Sequence, residues 1–195
     1  MLRDRVPVRS APEIRSAYAA YKPTLRIDFD KACGYCDTPD SFLGGKSVYH
    51  VEHFAPHSKF PLLKIAYSNL IYACPFCNRS KSNTWIGSDA SISHNDIEGF
   101  VDPCSVEYEI HLDRSADGRF LPRTPVGAYM IKHLKLNLIR HQFVWQSKKI
   151  RELRDNLRAV KSGLSAKDSS YLQLLEAIDE LTILYDKFRD QIVDA

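Results

Sequence analysis

No uninterrupted apolar run in this 195-residue chain approaches the roughly 20 residues that a membrane-spanning helix needs. The opening residues, Met1-Leu2-Arg3-Asp4-Arg5, hold no apolar stretch of the kind that a secretory signal carries. The two absences argue against a membrane partner and make the cytoplasm the expected compartment. Neither sign of charge dominates, with 27 Lys and Arg against 24 Asp and Glu. The net charge is +3, so total charge selects no partner and only its distribution is informative. Cysteine is sparse, with five residues in all, but four of these are not scattered.

Cys33/Cys36 and Cys74/Cys77 form two Cys-x-x-Cys pairs. Each such turn supplies two thiolates from one knuckle, and two turns fill the four tetrahedral corners that zinc prefers. A site filled wholly by protein leaves no corner for water or substrate, so this zinc is expected to be structural. The competing readings are a redox disulfide and four buried thiols. Two such pairs in a chain expected to be cytosolic fit a metal better. Cys104, after Asp102-Pro103, is expected to be a small half-buried residue in a turn.

The hydrophobic pattern sketches the rest. Ser10 as cap, Pro12 in the first turn and Glu13 predict a helix carrying Ile14, Ala17, Tyr18 and Tyr21 and ending near Pro23. A short segment with Leu25, Ile27 and Phe29 leads into the first knuckle. Ser47-Val48-Tyr49-His50-Val51 alternates as a strand and Leu70-Ile71-Tyr72 reads as a second one. Pro75 is placed to open a helix holding Asn78 to Ser82. Further on, Glu107 to Arg123 reads as a hairpin turning at Ala116-Asp117-Gly118, and Thr124-Pro125 opens a helix through Met130, Ile131, Leu134 and Leu138. Apolar residues at three- and four-residue steps then predict two helices flanking Gly163: Ile150, Leu153, Leu157 and Val160, and Leu174, Ile178, Leu181, Tyr185, Phe188 and Ile192. The first is rich in Lys and Arg and the second in Asp and Glu, which makes the pair electrostatically complementary.

Between the knuckles runs His50-Val51-Glu52-His53-Phe54-Ala55-Pro56-His57-Ser58, followed by Asn69-Leu70-Ile71-Tyr72-Ala73 and then Cys74-Pro75-Phe76-Cys77-Asn78-Arg79-Ser80-Lys81-Ser82. From Cys33 through Trp85 this stretch resembles the HNH endonucleases, whose core is a ββα-metal finger. The resemblance implies that His53 is the general base, Glu52 a metal ligand, Asn69 the middle asparagine of the motif and Asn78 its last position, a His-Asn-Asn variant. It departs from the family pattern in carrying glutamate for aspartate at 52 and asparagine for the frequent histidine at 78.

Elementary chemistry agrees with that assignment. An imidazole with an ordinary pKa of about 6.5 can take a proton from water near neutral pH. Glu52 and Asn78 offer hard oxygens suited to Mg²⁺ or Mn²⁺. Asn69 is expected to orient the His53 ring or its backbone across the loop. Lys81, Arg79 and Lys59 are the expected phosphate contacts, with Lys81 foremost because it lies three residues after Asn78. His50 is expected to be an ordinary polar strand residue, and His57 a loop residue near the metal that could reach substrate.

These readings combine into an α+β protein: a zinc-stapled ββα-metal core with an N-terminal helix, then a C-terminal helical hairpin. The expected division is an HNH domain over residues 1–125 and a packing or partner-docking hairpin over 126–195. The expected activity is hydrolysis of nucleic-acid phosphodiester bonds, of DNA rather than RNA. The architecture is similar to small stand-alone HNH proteins of bacterial anti-phage systems, including PtuB-type nucleases that work beside an ATPase subunit. The alternative is a catalytically silent zinc-finger nucleic-acid-binding or adaptor protein.

Overall fold

The computed structural model describes residues 2–194, and the chain divides into two compact units, Met1–Asn137 and Leu138–Ala195. The division falls after Asn137 rather than after residue 125, because helix α4 (Pro125–Leu134) packs on α2 (Pro75–Lys81) and on strand β4 (Phe120–Pro122) of the first unit. No helix among the described residues is long and apolar enough to cross a membrane.

The first unit is a mixed helix and small-sheet structure. A 3-10 turn at Tyr18–Tyr21 runs into α1 (Lys22–Asp28), with Pro23 in its first turn, where the missing N–H costs nothing. The predicted helix over Ser10 to Pro23 is therefore displaced. Ser10 does not cap a helix; its backbone N–H and hydroxyl both donate to Asp28, at 2.7 and 2.9 Å, and the chain up to Ala17 is irregular. Strand β1 (His50–His53) pairs antiparallel with β2 (Leu70–Ala73), setting Glu52 opposite Ile71 and His53 opposite Leu70. Helix α2 starts where Pro75 predicts, capped by Cys74, whose Sγ accepts from the Cys77 N–H at 3.4 Å. It stops at Ser82, where φ turns to 49°.

Past the core, Tyr108–His111 forms a single helical turn, α3, and only Leu112–Arg114 continues as β3, paired with β4. The predicted strand over Tyr108 to Leu112 is lost because Tyr108 is buried, with its hydroxyl donating to the Tyr35 carbonyl at 2.7 Å. Thr124 caps α4 through the Gly127 N–H at 3.1 Å, and Lys135 in the left-handed region ends it before Leu138. The second unit is the predicted helical hairpin: α5 (Ile139–Ser162), a turn through Gly163, and α6 (Ser169–Asp194). Phe143 and Phe188 meet across it at 5.8 Å, and Arg154 of α5 lies 5.0 Å over the Tyr185 ring of α6. Part of the attraction between the basic and the acidic helix is thus cation–π.

The core of the first unit is built on tyrosines whose hydroxyls are all satisfied. Tyr49 donates to the Thr38 carbonyl at 2.6 Å, and Tyr72 to Asp40 at 2.9 Å, while Arg26 holds the same carboxylate. Tyr49 and Tyr72 stack at 4.9 Å. Gly34 sits inside the first knuckle with no room for a side chain: a Cβ there would lie 2.7 Å from Phe29 Cε1 and 2.9 Å from Ile71 Cγ2. Gly34→Ala is expected to destabilise the first unit by ~1–3 kcal/mol, the usual penalty of overpacking. A urea melt read on the tyrosine and tryptophan signal measures this, and an unshifted midpoint would refute the close packing at Gly34.

Candidate active site

Two knuckles converge in the middle of the first unit. Cys33, Cys36, Cys74 and Cys77 are all buried, none is in a disulfide, and their sulfurs lie within 4.8 Å of one another. A tetrahedral zinc with Zn–S bonds of about 2.3 Å sets its sulfurs about 3.8 Å apart. Cys36 Sγ and Cys74 Sγ are 3.8 Å apart. Mutual hydrogen bonding, from Cys33 and Cys36 first, and then burial push the Cys74 and Cys77 thiols well above their ordinary range. Four sulfurs packed so closely ionise together only around a cation. The donor set fits one structural zinc. Cys104 lies apart from it, half-buried, with its N–H on Asp102 and its thiol pushed up to about 12 by burial.

The two knuckles carry the supports of Glu52. Tyr35, inside the first, donates to Glu52 Oε2 at 2.7 Å. Lys81, on the helix that leaves the second, donates to Oε1 at 2.8 Å and to the His53 carbonyl at 3.1 Å. Glu52, Tyr35 and Lys81 are all buried, Lys81 completely. Burial pushes the Glu52 carboxyl up, and Lys81 and Tyr35 pull it back. Lys81, expected to meet phosphate, therefore spends its ammonium inside the protein on Glu52. Neither partner role is visible in the sequence: a tyrosine in a knuckle and a lysine after a helix turn carry no distinguishing pattern.

Glu52 and His53 are neighbours on a strand, yet both border one cleft of about 420 Å³ because β1 ends at His53. Tyr18, His57, Asn78 and Arg79 border it too. His53 is only 7% exposed, and its Nε2 lies 2.9 Å from the Lys64 carbonyl. A carbonyl only accepts, so Nε2 carries the proton and Nδ1 keeps its lone pair. Burial holds the His53 pKa below its ordinary value, with His57, Lys81 and Lys64 pulling the same way against the Lys64 carbonyl. One hydrogen bond thus defines which ring nitrogen is the basic one.

Asn69 does not reach the His53 ring. Its Oδ1 accepts from the Ala55 N–H at 2.8 Å and its Nδ2 donates to the Ala55 carbonyl at 2.9 Å, pinning the chain two residues past His53. The Phe54 N–H on the Asn69 carbonyl, at 2.9 Å, completes the clamp. Asn78 borders the cleft half-exposed, and among the described residues its side chain has no hydrogen bond. The oxygens of Glu52 and Asn78 are the pair that could hold a divalent ion. Each Glu52 oxygen keeps a second lone pair beside the bonds from Tyr35 and Lys81, and carboxylates that ligate metals are commonly hydrogen-bonded in this way. The set fits a hard ion completed by water.

Among the remaining cations, Arg79 is exposed on the cleft and has no ion pair among the described residues. Lys59 instead donates to the Trp85 carbonyl at 3.2 Å and does not border the cleft. His50, exposed on β1, does border it; its pKa is lowered first by partial desolvation and then by the nearby charges of Lys22 and Arg79, which marks that end as cationic.

Two outcomes follow from this geometry. Cys77→Ser is expected to abolish binding of one zinc per chain, read by elemental analysis, and with it the cooperative unfolding of the first unit. Lys81→Met leaves a buried carboxylate unpaired and is expected to cost about 3–5 kcal/mol, whereas the double change Glu52→Gln with Lys81→Met recovers most of that loss. Chemical denaturation of the three proteins tests this, and equal losses in the single and double variants would exclude the pairing.

Comparison with known proteins bears on the same segment. Residues 33–84 match the family described as HNH endonuclease. Neither the curated proteins nor the solved structures compared with the chain gave a match. The matched segment runs from the first knuckle through β1, β2 and α2, so it encloses the four cysteines, Glu52, His53, Asn69 and Asn78. Residues 33–84 are thus similar to the HNH endonucleases in sequence, and they fold as two strands and a helix around four cysteines placed to hold one metal ion.

Proposed function

We propose that this protein is a metal-dependent endonuclease that hydrolyses phosphodiester bonds in nucleic acid, with His53 as general base. The observation that carries the reading is the 2.9 Å contact of His53 Nε2 with the Lys64 carbonyl at the wall of the cleft, which makes Nε2 the donor and Nδ1 the nitrogen that can take a proton. Nδ1 takes a proton from water, the resulting hydroxide attacks phosphorus, and the ester oxygen opposite departs. Glu52 and Asn78 would hold Mg²⁺ or Mn²⁺, which when bound supplies charge neutralisation at the phosphate. Asn69 keeps the loop after His53 in place, and through it the ring. Arg79 meets the phosphate backbone from the cleft wall.

DNA as the substrate, and a place in bacterial anti-phage defence beside an ATPase partner, rest on the likeness to PtuB-type nucleases in architecture: an HNH core followed by a helical hairpin. Supercoiled plasmid, single-stranded DNA and total RNA, each incubated with Mg²⁺ or Mn²⁺, test the activity and its substrate class together. Wild type is expected to cut the DNA, and His53→Ala to lose about 10²–10⁴-fold in rate, the usual contribution of a general base, with its zinc content unchanged. Equal cutting by both proteins would remove His53 from the chemistry.

A further inference from the structure

His57 borders the cleft and has no part in the chemistry above. It stands exposed on the loop leaving β1, with its Nδ1 3.3 Å from Nδ1 of His53 and the two ring centroids 4.4 Å apart. The contact has a direction. His53 Nδ1 presents a lone pair, because the Lys64 carbonyl fixes the proton on Nε2. Two lone pairs facing each other at this distance would repel, so the proton of the contact sits on Nδ1 of His57, and His57 is the donor. Tyr18 backs both rings: its edge packs on His53 at 4.8 Å, and its face lies within 28° of parallel to His57 at 6.3 Å.

This contact competes with catalysis. The water to be deprotonated needs the same lone pair, at a distance of about 3 Å. His57 must therefore turn away before the base can act, and its N–H then needs another acceptor. A phosphate oxygen is a strong one, since a hydrogen bond to an anion is roughly twice as strong as one between neutral groups. His57 is exposed and on a loop, so its ring can make that turn while His53, buried and held by Lys64, stays in place.

We propose that His57 is a phosphate-binding residue that masks the general base at rest: its Nδ1–H caps Nδ1 of His53 in the free protein and passes to a phosphate oxygen of the bound nucleic acid, which opens His53 to water. No covalent bond changes; one hydrogen bond is exchanged for another. The proposal rests on the nuclease reading, but it is tested by a readout that needs no turnover.

Imidazole nitrogen NMR of wild type and His57→Ala provides that readout, with and without a short DNA duplex in Ca²⁺. In the free wild type, His53 Nδ1 is expected at a hydrogen-bond-accepting shift. It moves to the uncapped value in His57→Ala, and in wild type when DNA is added. A His53 signal unchanged by the substitution, or unchanged by bound DNA, overturns the proposal. Steady-state cleavage with Mg²⁺ provides a second arm. His57→Ala is expected to raise KM on the order of tenfold through the lost phosphate contact. Its kcat stays within about twofold of wild type, because in the bound complex His57 has already left His53. A fall in kcat, or an unaltered KM, overturns the proposal as well. Failure of wild type itself to cleave any nucleic acid counts against the nuclease reading, while the NMR arm still decides the mask.

Discussion

The gathering of four cysteine sulfurs within 4.8 Å of one another is the constraint from which the rest of the first unit follows. Each knuckle positions a neighbour that the site needs. Tyr35 lies between the two cysteines of the first, under Glu52. Asn78 and Lys81 follow the second on α2, whose start is fixed by Cys74 acting as its cap. A shift of one knuckle against the other would therefore part Glu52 from one of its two partners. A small sheet of two four-residue strands could not hold that register alone, because so short a pairing is marginal in water.

Around that staple the protein keeps one ionised pair out of solvent. Removing Glu52 and Lys81 from water costs several kcal/mol for each ion, and their attraction offsets this only because the remaining polar atoms are also bonded. Tyr35 takes the second carboxylate oxygen, and the His53 carbonyl takes another ammonium proton. The pair thus ties the strand that carries His53 to the helix that carries Asn78. Lys81 also lies 5.5 Å from the Phe100 ring, which adds a cation–π contact. His53 belongs to the same logic. Its nitrogens are told apart by a backbone carbonyl and not by a second charged group, which gives the basic nitrogen a fixed direction.

Much of the frame was legible in local pattern. The cysteine spacing, the strand beginning at Leu70, the helix start at Pro75, the Thr124 cap and the hairpin about Gly163 all rest on interactions within a few residues, and the structure has them. The misreadings came where a distant partner outcompeted a local preference. Ser10 looks like a cap, but Asp28 takes both of its donors. Tyr108 to Leu112 alternates like a strand, but the Tyr108 hydroxyl is drawn to the Tyr35 carbonyl, 73 residues away in sequence. Residues 126–134 look like the start of the hairpin, but α4 packs with the unit that carries the four-cysteine cluster.

The site divides in the same way. The sequence by itself determined which residue types are present at which spacing: four thiols in two pairs, an acid beside a histidine, and an asparagine after the last cysteine. Those are properties of the chain's local chemistry. Only the tertiary structure decided what each group does with its charge and its hydrogen bonds. Lys81 and Lys59 are both lysines of a basic-looking stretch, yet one is sealed against Glu52 and the other rests on a backbone carbonyl. His53 ends β1 and His57 lies on the loop after it, yet one is buried with Nε2 on a backbone carbonyl and the other is exposed, 3.3 Å from its Nδ1. Burial and partner direction set the protonation state and the reach of a side chain, and both are created when remote segments fold together.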